Sequence, residues 1–441
     1  MVQWYSKAHD FSTARNAAGI VYNVDRIPKR IQRHVTPEDK LMPVSRRAFI
    51  AGLVATPLLT SVPAAARAAT PAISADRFDP WLEIDAAALR KNVAVVSGLA
   101  RKRPILAVIK NNAYGLGLTT VASVLDPMPQ IKGFAVVKAE AAIALRDAGI
   151  RKPVLLMGLF SDRDGEELLR RDVQLSICTD DSASRIVRAA KKAGQPATAH
   201  IYLDTGMSRM GIPYFRALPV LSELRGLEIH IEGTFTGFTE ESDFDREQLR
   251  RFVEITDAAR ANGVELGSLH AASSHAVFNY ADSHLDQVRP GIALFGAYPS
   301  DFESERSIAT LTPAMRLKAR VVRVEQIRAG DSVSYGRNYV AEKSTWIATI
   351  PVGHTDGMPR EAVNGAHVVV NGSAYPVIGA VSASHTIIEV GDEHSVNIGD
   401  VATLLGPDHP AIHPNQLAAS TGTSVYDALM HLNPTLPKVL V

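Results

Sequence analysis

The chain has 441 residues, of which 46% are hydrophobic and 21% charged, with a formal net charge of +1. That length carries two domains with full cores, and the composition is that of an ordinary globular protein. The near-zero charge, without long like-charge or low-complexity tracts, gives no basis for nucleic acid or an anionic membrane as partner.

The first 80 residues read differently from the rest. Ser45-Arg46-Arg47-Ala48-Phe49-Ile50 opens an apolar stretch that runs to about Val62 and ends in Ala64-Ala65-Ala66-Arg67-Ala68-Ala69. Paired arginines, a short apolar core and a small-residue cleavage site make an export signal. The adjacent arginines with Phe49 two positions on resemble the twin-arginine type. The core is short and interrupted by Pro57 and Pro63, so a stable membrane span is not expected. Met42 stands just before this signal. Translation is therefore expected to start there, leaving residues 1–41 as upstream sequence or a leader without a role, and 42–80 as signal and linker. The mature protein is expected in the periplasm or otherwise exported. Cys178 is the only cysteine, so stability must come from the core and not from an intramolecular disulfide.

From Trp81 to about 306, apolar strand-like runs alternate with helical patterns. The expected strands are Ile105–Lys110, Gly133–Val137, Val154–Gly158, Leu175–Cys178, Thr198–Asp204, His230–Thr234, Ser268–Ala272 and Val288–Ile292. Between them, Ala139–Ala148, Asp181–Lys192 and Asp245–Asn262 repeat apolar residues at three and four. Gly149, Gly194 and Gly263 stand where helix C-caps belong. Eight strand–helix repeats predict a (β/α)8 TIM barrel over 81–306. Over 307–441 the pattern changes. Met315–Ile327, Trp346–Pro351, His367–Val370, Tyr375–Val381 and Val396–Leu405 are β-rich, with turns at Gly330-Asp331, Asn371-Gly372 and Gly399-Asp400. No substantial helix is expected before Thr423–Leu432. This predicts a second, mostly antiparallel β domain.

Lys110 closes the apolar run Ile105–Ile109, at the strand end where barrels keep their chemistry. An ammonium there is costly unless paired, deprotonated or covalently bound. By position alone it also fits a lysine that snorkels out of the strand end. The following Asn111-Asn112-Ala113-Tyr114-Gly115-Leu116-Gly117 suits a tight turn in close approach to a ligand.

Ile105–Gly117, ILAVIKNNAYGLG, resembles the cofactor-lysine motif of the alanine racemase family. Matching segments recur in family order from about Trp81 to Tyr335, and more weakly to the C-terminus. The resemblance implies pyridoxal 5'-phosphate as cofactor, with Lys110 forming the Schiff base and Tyr114 reaching the phosphate. Val288–Gly296, VRPGIALFG, resembles the segment after the last barrel strand. It implies that the backbone N–H groups of Gly291 and Ile292 face the phosphate and that Arg289 faces the pyridine nitrogen, with His270 in the slot of a supporting residue. A guanidinium does not give up its proton. The pyridine then stays largely unprotonated, which favours proton shuffling over decarboxylation. Ala271-Ala272-Ser273-Ser274 sits where the family has an Asn-Ser pair at the phosphate, so Ser274 fits as a donor and Ser273 replaces the asparagine. Asp204–Gly211, DTGMSRMG, matches a family stretch whose arginine, here Arg209, lies near the substrate carboxylate. Val333-Ser334-Tyr335-Gly336-Arg337 resembles the segment that carries the second acid/base. Racemisation needs a base on each face of the planar intermediate. Lys110 serves one face, and the resemblance implies that Tyr335 serves the other from a partner subunit, which requires a homodimer with shared active sites.

The chain departs from the family around the pocket. Thr236-Gly237-Phe238 lacks the usual histidine. Tyr202 stands for a lysine, Val381-Ser382-Ala383-Ser384 for a Met-Asp pair, and His354 within Gly353–Gly357 for a tyrosine. Leu436–Leu440 lacks a final tyrosine. Small residues at Gly237 and Ala383, the latter expected at the substrate, leave room that alanine would not fill. The expectation is a pyridoxal-phosphate-dependent amino-acid racemase acting on alanine or on a broader or larger range of small-molecule amino acids. A lyase or decarboxylase of the same fold is the alternative, which Arg289 and Tyr335 speak against. A metal-dependent lyase would want a His/Cys pair near the C-terminal end, and none is seen. A non-catalytic pyridoxal-phosphate carrier would be a barrel alone, while the lost pocket residues leave open a decayed racemase that only binds a ligand.

Overall fold

The structure, a computed structural model, describes residues 76–441. The leader and the export-signal segment lie outside the described residues.

Seven parallel strands follow one another around a curled sheet: Ile105–Val108, Ile131–Val136, Val154–Leu156, Val173–Ile177, Ala197–Asp204, Ile229–Phe235 and Ser268–His270. The period of two sorts their side chains. Ile105, Ala107 and Ile109 face the helical layer. Leu106 and Val108 face the lumen, with Ala135, Leu155, Cys178, Tyr202 and Phe235. The helices Ala139–Asp147, Ser182–Ala193 and Ser242–Ala261 lie where expected. Gly149, Gly194 and Gly263 end them in the left-handed conformation, φ 78°, 66° and 74°.

The eighth strand is not a regular one. Val288 makes a single parallel bridge to Ile105. The N–H groups of Leu106 and Val108 donate to the carbonyls of Val288 and Pro290, both at 2.9 Å, and Arg289 N–H donates to Ala272 O at 2.8 Å. These bonds close the barrel on both sides. Pro290 has no N–H to continue the ladder, and Gly291 turns the chain into the 3-10 turn Ile292–Phe295.

The second sheet has nine strands, in the order 323–327, 345–350, 386–391, 373–378, 367–370, 401–405, 315–320, 81–84 and 438–440. All neighbours are antiparallel except Trp81–Ile84 with Lys438–Leu440. Trp81–Ile84 precedes the barrel in the chain yet lies in this sheet, with Leu82 and Ile84 wholly buried. The expected run Met315–Ile327 divides after Arg320, and the expected Val396–Leu405 begins only at Val401. Thr386–Gly391 is a strand the pattern did not reveal. Asn371 (φ 52°) and Gly372 (φ 81°) form the expected hairpin turn.

An unexpected helix, Pro414–Thr421, precedes the expected one, which spans Val425–Met430. Pro414 sits in its first turn, where a missing N–H costs nothing, and Asn415 accepts from Tyr298 N–H at 3.0 Å and donates to its carbonyl at 2.8 Å. The Val425–Met430 helix packs against the turn after Lys110: a Cβ on Gly115 would meet Leu429 O at 2.5 Å, and Asn111 Nδ2 donates to Met430 Sδ at 3.2 Å. Among the described residues no helix is long and apolar enough to cross a membrane.

Candidate active site

Four consecutive non-glycine residues after Lys110 are left-handed: Asn111, Asn112, Ala113 and Tyr114, with φ between 51° and 57°. Such residues cost on the order of 1–2 kcal/mol each, with asparagine tolerating the region best. Hydrogen bonds hold the turn: Ala113 N–H to Ile109 O at 3.0 Å, Gly117 N–H to Asn112 O at 2.9 Å and Leu118 N–H to Asn112 Oδ1 at 2.9 Å. Strain persists where surroundings over-determine it, and it clusters at functional sites. Burial lowers the Lys110 ammonium pKa, the Arg209 guanidinium lowers it further, and Glu240 opposes both. The amine is thereby held closer to its nucleophilic free form.

Tyr114 is buried, its ring 4.9 Å from Phe295 and 6.3 Å from Tyr426. Its hydroxyl lies over Gly291, where a Cβ would meet it at 2.1 Å, so only glycine admits the phenol. Burial, helped by Glu240, raises the Tyr114 pKa, and burial, Glu240 and Tyr114 raise that of Tyr426. Both phenols stay protonated donors.

The expectation that Gly291 and Ile292 both offer bare N–H groups is corrected in part. Gly291 N–H donates to Ser274 Oγ at 2.9 Å, as does Ala293 N–H at 3.2 Å. Ile292 opens its 3-10 turn and so has no carbonyl within it to serve. With both lone pairs of the Ser274 oxygen engaged, its proton is directed outward as a donor. Ser273 Oγ is buried without a hydrogen-bond partner among the described residues. Tyr114 Oη and Ser274 Oγ both lie beside Gly291, the Ile292 N–H follows in the same turn, and Ser273 adds that hydroxyl next to Ser274 in the chain; this donor set fits a phosphate.

Arg289 is buried with its charge met by neutral acceptors. One Nη donates to His270 O at 2.6 Å and to His270 Nδ1 at 3.0 Å; the other donates to the carbonyls of Thr236 and Ala271. Because His270 Nδ1 accepts, its Nε2–H must donate to His200 Nδ1 at 3.0 Å, and His200 Nε2–H then donates to Gln174 Oε1 at 3.0 Å. The relay fixes both tautomers. Burial pushes the His200 pKa down to about 3 and that of His270 well below its usual value, with Arg289 adding to both. Burial also brings Arg289 down to about 10, still charged at neutral pH. Its guanidinium lies 5.0 Å from the centre of the Phe235 ring.

Arg209 stands exposed on the loop after the fifth strand. Asp204 Oδ1 shapes that loop by accepting from the N–H groups of Gly206 and Ser208, both at 3.0 Å. Tyr335 is 74% exposed on a turn of the β domain, and no hydrogen bond or ion pair among the described residues joins it to Lys110. Ala383 is exposed on another β-domain loop, where its carbonyl accepts from Thr355 N–H at 3.2 Å and Thr355 Oγ1 at 2.7 Å. The structure thus brings Lys110, Tyr114, Ser273, Ser274, Arg289, Gly291 and Ile292 to one end of the barrel, and leaves Tyr335 and Ala383 on the second domain. The room expected at Gly237 is partly filled: a Cβ there would meet Tyr202 Oη at 3.6 Å and Met207 Sδ at 3.7 Å.

Sequence reasoning missed Tyr426, Gln174, His200 and Glu240. Tyr426 carries no local signal beyond its place on an expected helix. The histidine relay joins residues that are neighbours only across strands.

A strand-end lysine, a donor cradle and a buried arginine on such a barrel, followed by a β domain, define an amino-acid racemase. Models of the alanine racemase N-terminal and C-terminal domains match residues 84–299 and 314–440, and the chain belongs to the alanine racemase family. It is 32% identical to the alanine racemase of Methanococcus maripaludis, over 81% of this chain and 98% of that protein. It is 34% identical to that of Carboxydothermus hydrogenoformans, over 82% and 99%. Among solved structures, the alanine racemase of Clostridium difficile superimposes with a TM-score of 0.76 at 28% identity, covering 82% of this chain and 95% of that one.

Proposed function

We propose that this racemase uses pyridoxal 5'-phosphate, works as a homodimer with shared sites outside the cytoplasm, and accepts amino acids larger than alanine. The observation that carries the cofactor reading is the donor cradle: Ser273 Oγ is buried and without a partner among the described residues, and Gly291 lets Tyr114 Oη approach its own turn. When bound there, the cofactor supplies an aldehyde for the Lys110 amine and an electron sink for the substrate's α-carbon.

The protein's own residues do the rest. Arg209 orients the substrate carboxylate. Lys110 takes or returns the α-proton on one face, helped by its lowered pKa. Arg289 presents a permanent cation to the pyridine nitrogen, and the neutral relay behind it positions the guanidinium without adding charge. This arrangement favours proton return at the α-carbon over loss of carbon dioxide. The opposite face needs a second acid/base group. The exposure of Tyr335 in the single chain suits a phenol offered to a neighbouring copy. The paired arginines and apolar segment at 45–69 support export. The lack of bulk at Ala383 supports the wider substrate range.

The test is α-deuterium exchange in heavy water across an amino-acid panel, with borohydride reduction of the holoprotein and peptide mapping. Exchange with several amino acids and cofactor fixed to Lys110 are expected, and both should vanish in Lys110→Ala. Absence of reducible cofactor on Lys110 would overturn the reading. Strong preference for alanine over bulkier substrates would overturn the substrate range alone.

A further inference from the structure

Two loops follow the adjacent strands Ala197–Asp204 and Ile229–Phe235, and each carries one charged side chain, Arg209 or Glu240, without an ion pair among the described residues. The first holds Arg209; the second is Gly237–Glu240. They are fastened at their bases. Thr205 Oγ1 and Thr236 Oγ1 lie 2.8 Å apart, and Gln248, wholly buried, donates to Thr205 Oγ1 at 3.3 Å and to Gly237 O at 3.0 Å. Thr236 O is also an acceptor for Arg289. The second loop is therefore locked to the site's own cation.

Glu240 sits at the tip of that loop in a left-handed conformation, φ 66°, which a glutamate adopts at a cost. Asp245, 2% exposed, holds it there. Its Oδ1 accepts from Thr239 N–H and Thr239 Oγ1, both at 3.0 Å, and from Glu240 N–H at 3.1 Å. Gln248 Oε1 adds a further bond to Thr239 N–H at 3.0 Å. Four hydrogen bonds from two buried side chains thus fix a strained backbone, while the Glu240 carboxylate itself makes no hydrogen bond or ion pair among the described residues. Strain maintained by buried anchors clusters at functional positions.

We propose that Glu240 reads the substrate's side chain, and that the preferred substrates are amino acids with a cationic side chain, such as lysine and ornithine. This rests on the racemase reading above. Arg209 takes the α-carboxylate and Glu240 takes the distal ammonium, so the two loop tips bracket a dipolar molecule. Electrostatics agrees with that placement. Glu240 acts on Lys110, Tyr114 and Tyr426; burial, with the neighbouring carboxylates of Asp245 and Glu305, raises its own pKa, and Lys110 and Arg209 oppose that rise, so the tip is an acidic environment that a cation would relieve. Glu240 is exposed, so a substrate can reach it, and solvent screens part of the charge pair.

The experiment compares kcat/KM for lysine with that for norleucine, a near-isostere without the charge, in holoenzyme and in Glu240→Gln. The wild type should prefer lysine by about tenfold or more, and the Gln variant should bring the ratio close to one. Glu240→Lys should instead raise the ratio of glutamate to glutamine. No preference for lysine in the wild type, with exchange still observed, would overturn the inference and leave the racemase reading standing. An equal loss for both substrates in Glu240→Gln would also overturn it, because Glu240 would then act on Lys110 or across the subunit interface. Absence of exchange with every amino acid would overturn the racemase reading itself.

Discussion

Gly291→Ala is the sharpest perturbation of the phosphate cradle. The added Cβ would stand 2.1 Å from Tyr114 Oη, 2.8 Å from Cζ and 3.2 Å from Cε2, against ordinary contact at 3.4 Å and beyond. The phenol must retreat by about 1.3 Å, the difference between 3.4 and 2.1 Å. Phe295 lies 4.9 Å behind the ring and Tyr114 is 3% exposed, so there is little room to yield. Overpacking of this kind costs about 1–3 kcal/mol. A phenol displaced by that much also misses its hydrogen bond to an anion. At 1.4 kcal/mol per decade, cofactor affinity should fall by roughly 5- to 140-fold, with a matching loss in urea midpoint. Cofactor titration and urea unfolding of the apoprotein measure both. Tyr114→Phe removes the atom at 2.1 Å, so the cost of Gly291→Ala should shrink in that background by about 1 kcal/mol. An unchanged cofactor affinity and midpoint in Gly291→Ala would refute the packing argument.

Two further expectations follow from the site. Tyr335→Phe should keep cofactor bound to Lys110 and abolish racemisation in at least one direction, because one acid/base group then remains; unchanged turnover in both directions would reject the two-base assignment. The histidine relay links stability to pH. His200 is held neutral in the fold, with a pKa of about 3 against about 6.5 when unfolded, so between these values the unfolded chain binds the extra proton. The stabilisation is therefore complete above pH 6.5 and is lost as pH falls toward 3, by about 1.4 kcal/mol per unit. His200→Gln should flatten the dependence of urea midpoint on pH between 6 and 4; the same slope as in wild type would show that the relay is protonated in the fold.

Local pattern carried much of this protein. The apolar run ending in Lys110, the period-two sorting of Ile105–Ile109 and the helices before Gly149, Gly194 and Gly263 are all set by residues within a few positions of one another. The alternating half of the chain was read as a barrel because strand and helix periods differ over ten residues. The motif segments placed Lys110, Tyr114, Ser274 and Arg289 for the same local reason. Thr386–Gly391 and Pro414–Thr421 escaped because short apolar segments fit strand or helix alike until a neighbour is supplied, here Thr345–Ile350 for the strand and Tyr298 for the helix.

Only the tertiary structure decided which distant surfaces meet. Trp81–Ile84 looks like any buried strand, yet it leaves the barrel to lie between Met315–Arg320 and Lys438–Leu440, because Leu82 and Ile84 find their cover there. The relay from Gln174 through His200 and His270 to Arg289 spans 115 positions, and each link is a hydrogen bond between different strands or strand ends. Tyr426 reaches Tyr114, and Asp245 and Gln248 hold the Thr239–Glu240 backbone, through packing that no window of sequence contains. Backbone propensity acts over a few residues, whereas burial and polar satisfaction are settled among groups that chain distance does not order.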